Sequence, residues 1–167
     1  MPGAFPDPAL THLPRPILLS NESPILLISR SSVNRLNEQI KQNGGKAVYA
    51  DVFRANIVVA EERPTHLRDE QPYVEDTWDQ IRIGQDHFQI LGSCRRCQMV
   101  CIDQFTAKSS EEPLSTLAKT RRFDGKAFFG QHLTLENARD GRESIGSIKV
   151  GDSVTSYRDA NTERRYS

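Results

Sequence analysis

Ile81-Arg82-Ile83-Gly84-Gln85-Asp86-His87-Phe88-Gln89-Ile90 alternates apolar and polar side chains on both sides of a turn. Successive side chains on a strand point to opposite faces, so Ile81 and Ile83, then Phe88 and Ile90, each build one apolar face. Gly84-Gln85-Asp86 supplies the turn, and the stretch predicts a β-hairpin. Upstream, Pro24-Ile25-Leu26-Leu27-Ile28-Ser29 is a short continuous apolar run, the pattern of a strand buried on both faces. The period then changes: Val33, Leu36 and Ile40 are spaced three and four apart, behind Ser31 and Ser32 as candidate N-caps and ahead of the helix stop Asn43-Gly44-Gly45. Phe53 to Val59 returns to strand character through its β-branched end. Glu61 to Asp76 is polar and interrupted by proline, too long for an ordinary connection and therefore an insertion or a lid.

Downstream, Pro113 followed by Leu114, Leu117 and Ala118 predicts a second short helix with proline in its first turn. Leu133-Thr134-Leu135, Ile148-Lys149-Val150 and Ser153-Val154-Thr155 are expected as closing strands. Many short strands with two short helices predict a β-rich fold, a barrel or sandwich decorated by helices.

Residues 1 to 16 carry five of the nine prolines, at positions 2, 6, 8, 14 and 16, so 1–19 is expected to be a proline-rich arm. Residues 158–167 are expected to be a polar tail, leaving 20–157 as the folded domain. Lys plus Arg and Asp plus Glu number 22 each, so no global charge argues for nucleic acid or a membrane surface. No apolar run approaches the roughly 20 residues that span a bilayer, and the N-terminus lacks a basic and apolar leader pattern. With three cysteines, an odd and sparse count, a disulfide scaffold is disfavoured and a reducing, cytoplasmic setting is expected.

All three cysteines fall within Cys94-Arg95-Arg96-Cys97-Gln98-Met99-Val100-Cys101. The arginines inside the bracket would favour thiolate, the form that attacks electrophiles and binds soft metals. Zinc would need a second pair of ligands, whereas His87 is the nearest upstream histidine and no HxxxH or second CxxC occurs. A redox pair would want its first cysteine at a helix N-terminus after a strand, whereas this motif sits beside apolar Met99, Val100 and Ile102 with no helical period. If Arg95 to Cys101 is extended, Arg95, Cys97, Met99 and Cys101 share one face; a loop before the strand would break that alternation. Met99 and Cys101 read as core.

Three separated segments carry a resemblance: Phe53-Arg54-Ala55-Asn56-Ile57; Glu75-Asp76-Thr77-Trp78-Asp79-Gln80-Ile81-Arg82-Ile83-Gly84; and Leu91 to Gln104 with its CRRCQMVCID core. Together with Ser20-Asn21-Glu22 and Phe129-Gly130-Gln131, they resemble the MOSC domain of the molybdenum cofactor sulfurase type over residues 20 to 157. The resemblance implies a MOSC-like β-barrel that binds molybdenum cofactor (molybdopterin), a pterin whose dithiolene holds the metal and which ends in a phosphate. By similarity to the amidoxime-reducing members, Cys97 would ligate molybdenum, and Arg54, Asn56 and Arg96 would contact the cofactor. Arg54 and Asn56 would share one strand face. Cys94 is a candidate relay thiol beside Cys97 in the sulfuration chemistry. Trp78 is expected as a core plug, and His132 as a solvated histidine where those reductases place a tyrosine.

The resemblance further implies partners: a cysteine desulfurase domain or chain to supply sulfur, and recipient molybdoenzymes. The pyridoxal phosphate of the desulfurase is expected on that partner and not on this chain. The alternatives are an amidoxime-reductase-like molybdoenzyme and a non-catalytic remnant or interaction domain.

Overall fold

The computed structural model describes residues 25–60, 71–136 and 147–158. The expected arm, most of the expected tail and the Ser20-Asn21-Glu22 element lie outside these residues. Among the described residues one seven-stranded sheet holds β1 (Ile25–Ser29), β2 (Ile57–Val59), β3 (Gln80–Ile83), β4 (Asp86–Arg96), β5 (Arg122–Phe123), β6 (Lys126–Leu135) and β7 (Val154–Tyr157). Its order is β2-β1-β6-β4-β3-β7, with β5 paired to β6. All pairings are antiparallel except β1 with β2. The helices are α1 (Arg30–Gln42) and α2 (Leu114–Thr120). Among the described residues the fold is β-rich with two α-helices, as the alternation predicts.

The hairpin forms as expected, with Ile83 opposite Asp86 and Gly84 at φ 59, a left-handed angle that glycine adopts without a Cβ clash. Period-two alternation on β1 then divides the core. Leu27 faces one side with Ile81, Ile83, Phe88, Ile90 and Leu133. Ile28 faces the other, where Val33, Leu36 and Ile40 of α1 and Leu117 of α2 pack on Phe53, Phe129, Val100 and Cys101. Ile57 and Val59 from β2 join Trp78 and the β3 isoleucines in the first cluster, so the sheet curls until its two edges look toward each other. Each fully buried aliphatic side chain contributes about 1.5–3 kcal/mol by leaving water, and both faces are needed to hold the curl.

Three expectations about elements are corrected. The N-cap of α1 is Ser29, which accepts from the Ser32 amide at 3.2 Å, and not Ser31 or Ser32. The predicted strand from Phe53 shrinks to Ile57–Val59, because Ala50–Phe53 forms a 3-10 turn closed by Arg54 in the left-handed conformation, φ 54. Ile148-Lys149-Val150 lies outside any strand, leading instead to a turn in which the Asp152 carboxylate accepts from the Lys149 amide at 2.7 Å.

Candidate functional site

β4 and β6 form the long ladder that carries the cysteine segment, and their pairing is interrupted twice. Between Ile90 and Gly92 β4 has an extra residue, and between Gln131 and Phe128 β6 has one. The second irregularity coincides with Gly130 at φ 81, where an added Cβ would lie 2.8 Å from both Ile28 Cγ2 and the Leu27 carbonyl oxygen. Only glycine fits that approach. β4 ends at Arg96, and Gln98–Cys101 winds into a 3-10 turn with Cys97 as its N-cap. The extended reading of Arg95 to Cys101 is thereby corrected, and with it the placement of Met99, which is 49% exposed because the turn changes the period. Cys101 is core as expected, 2% exposed, with its thiol on the Glu111 carbonyl at 3.4 Å and held above the ordinary thiol range by burial.

The sequence-predicted site residues divide into two kinds. Cys97 is exposed, and so is Arg54 at the close of the Ala50–Phe53 turn. That turn and the Cys97 turn lie against each other. The other three are hydrogen-bonded within the fold, although Asn56 is also exposed. Asn56 clamps Leu26 twice: its Oδ1 accepts from the Leu26 amide at 2.8 Å, and its own amide donates to the Leu26 carbonyl at 2.9 Å. Arg54 and Asn56 precede β2, so they do not share a strand face. Arg96 donates from Nε to the Phe129 carbonyl at 2.9 Å and from Nη1 to the Phe53 carbonyl at 3.2 Å, with its guanidinium 5.3 Å from the Phe53 ring centroid. Cys94 is buried, its Sγ 3.6 Å from the Arg95 carbonyl oxygen. His132 is half-buried on β6, opposite Leu26 and Gly92.

A second polar cluster lies at the head of α1. The Ser29 hydroxyl contacts Ser32 Oγ at 2.7 Å and Glu75 Oε2 at 3.0 Å, and Ser32 Oγ accepts from the Tyr73 amide at 2.7 Å. Glu75 is 1% exposed. Its neighbour Asp76 accepts from Arg121 and, at 2.7 Å, from Gln131 Nε2, which also donates to Ser93 Oγ at 3.0 Å. Arg121 lies 4.1 Å from the Tyr73 ring centroid, and burial raises the Tyr73 hydroxyl above its ordinary value. Sequence reasoning missed this network. One signal was available: Gln131 lies two residues from both Phe129 and Leu133 in an apolar stretch, a polar residue at a buried position.

Trp78 borders a cleft of about 170 Å³ between the sheet edges, lined also by Ser29, Ser31, Val59, Val154 and Ser156. It packs against the inner core only on one side, so it is half-buried where a full plug was expected. Among the described residues no three His, Cys, Asp or Glu side chains are grouped to hold a bare metal ion, and no helix is long and apolar enough to cross a membrane.

A family model described as MOSC domain matches residues 14–155. Among curated proteins the chain is 57% identical over 169 residues to a molybdenum cofactor sulfurase of Aspergillus niger, covering 93% of this chain and 20% of that protein. It is 58% identical over 173 residues to the protein of that name in Aspergillus fumigatus, and 52% over 157 residues to that in Botryotinia fuckeliana, covering 92% of this chain each time. These matches span 20% and 19% of the respective proteins, so the chain spans about a fifth of the length of these relatives.

Proposed function

The chain belongs to the MOSC domain family, and from that premise we propose that it is a molybdenum cofactor-binding module acting in sulfuration of the cofactor. The observation that carries this reading is an exposed thiol, Cys97, on a turn fixed at its base and set against a second turn that ends in exposed Arg54. A metal ion arriving alone would need three or four protein ligands. The cofactor supplies a metal centre already chelated by its own dithiolene, and a phosphate. One soft thiolate and one cationic fork suit such a group, so the residues present fit it.

Cys97 would hold the metal as a thiolate ligand, and Arg54 would bind the anionic end through its planar guanidinium. Asn56 and Arg96 would hold the two turns beneath the cofactor. Cys94, turned inward, could relay sulfur only after β4 opened, so Cys97 is the thiol we assign to the chemistry. Sulfur would come from a cysteine desulfurase domain or chain that carries its own pyridoxal phosphate, and the finished cofactor would pass to recipient molybdoenzymes. A reducing, cytoplasmic setting suits three free cysteines.

The chain produced in a host that synthesises the cofactor is expected to carry molybdenum and pterin, read by elemental analysis and by pterin fluorescence after release. Cys97→Ala should lower the molybdenum content at least tenfold. A parent chain that holds neither metal nor pterin after cofactor supply overturns the reading. Turnover of an amidoxime with a chemical reductant would favour the reductase alternative instead.

A further inference from the structure

Arg96, the residue immediately before Cys97, reaches the Arg54 turn and strand β6. Arg96 binds the carbonyl of Phe129, beside the β6 irregularity at Gly130, and the carbonyl of Phe53, the residue before Arg54. Its guanidinium lies near the Phe53 ring, itself stacked on Phe129 at 4.3 Å between centroids. We infer that Arg96 is a positioning residue: it ties the start of the Cys97 turn to the Arg54 turn through the Phe53 carbonyl and to β6 through the Phe129 carbonyl, and it does not act as a ligand to the cofactor's anionic end. The inference deepens the proposed function and rests on it for the identity of the cofactor. The coupling itself is a property of the protein alone.

The chemistry of the side chain supports this division of labour. A guanidinium presents several N–H donors in one plane, so a single arginine can bind two carbonyls that a compact lysine ammonium on a flexible stem cannot hold in the same geometry. Here the contacts to Phe129 and Phe53 point into the protein, while Arg54 is exposed. Hydrogen bonds from a charged donor to a partly buried carbonyl are the stronger kind, so the two contacts hold Arg96 firmly between the Arg54 turn and β6. Gly130 completes the device. The backbone bends there so closely against Leu27 and Ile28 that the adjoining Phe129 carbonyl has little room to move.

The test uses the chain without cofactor, comparing the parent, Arg96→Ala, Arg96→Lys and Arg54→Ala by hydrogen exchange resolved to peptides. In both Arg96 variants, amides of the Ala50–Arg54 and Cys97–Ile102 segments should exchange at least tenfold faster, while β1, β3 and α1 stay within about twofold of the parent. Buried Cys101 should become open to iodoacetamide in the same variants, and Arg54→Ala should change neither readout. Lysine keeps the charge, so its failure to restore slow exchange identifies the fork and not the charge as the acting feature. Exchange at both turns within twofold of the parent overturns the inference, as does a uniform rise across the whole sheet. Should Arg96→Ala fail to fold, Arg96→Lys carries the comparison. Loss of molybdenum in the cofactor-supplied parent would instead strike the proposed function and leave this result standing.

Discussion

At the head of α1, Ser29, Ser32, Glu75, Asp76, Arg121 and Gln131 bond to one another across segments far apart in the chain. At the end of β4, the Cys97 thiol and the Arg54 guanidinium stand in solvent above side chains whose hydrogen bonds run inward. Both regions are rich in polar residues, and both lie in segments that read as motifs. The difference lies in what the polar atoms are bonded to. In the first, removing one group leaves several largely buried partners unsatisfied; in the second, removing the reactive group strands nothing. Motif residues therefore split into those that hold the fold and those that can hold a ligand, and only the structure sorts them.

That contrast is open to measurement. The largest loss of stability should follow Asp76→Ala, which leaves Arg121 and buried Gln131 without their shared acceptor; about 2–4 kcal/mol is expected, read from the shift in urea midpoint. A cost below about 1 kcal/mol would erase the distinction between the two regions. Gly130→Ala should cost about 1–3 kcal/mol, since the new methyl meets Ile28 and the Leu27 carbonyl at a backbone angle that alanine disfavours. Ser29→Ala removes the N-cap of α1 and one donor to Glu75, for about 1–2 kcal/mol in the same assay. Cys97→Ala should leave stability within about 0.5 kcal/mol of the parent while molybdenum retention falls, which is the sharpest form of the comparison.

The smallest effect is one of pH. Burial lifts the Cys101 thiol above its ordinary value of 9.0, so the folded chain holds that proton more tightly than the unfolded chain does. This contribution is fully present below the unfolded value and is lost as pH rises through the folded one. Tyr73, raised by burial from 10.0, extends the decline further. Urea midpoints measured from pH 8 upward should fall, and Cys101→Ala should flatten the lower part of that fall. An unchanged slope would remove Cys101 from the account.

Much of the architecture was legible because it follows local periods. The hairpin from Gln80, the apolar β1 and the three-four spacing of α1 each show in ten or so consecutive residues. Legibility failed where one backbone angle redirected the chain. Arg54 in the left-handed region ends a turn where β-branched neighbours promised a strand, and the stop at Arg96 turns Met99 outward where continued alternation would bury it. At the site, the resemblance singled out Cys97, Cys94, Arg54, Asn56 and Arg96, of which Cys97, Arg54 and Asn56 lie exposed and Cys94 is buried. It could not show that Asn56 and Arg96 bond inward, because those partners, Leu26, Phe53 and Phe129, are 30 to 43 residues away. The acid-amide network was hidden for the same reason, with Gln131 and Asp76 55 residues apart.

Trp78 is the chain's single tryptophan, and it sits in the cleft where β2 and β7 face each other, away from the thiol turn. Its emission is therefore a label the fold already carries, sensitive to water entering the seam between the sheet edges and silent toward events confined to Cys97. A titration that quenches this signal reports the sheet spreading, and one that modifies the thiol with the spectrum unmoved reports chemistry on a sheet that has stayed curled.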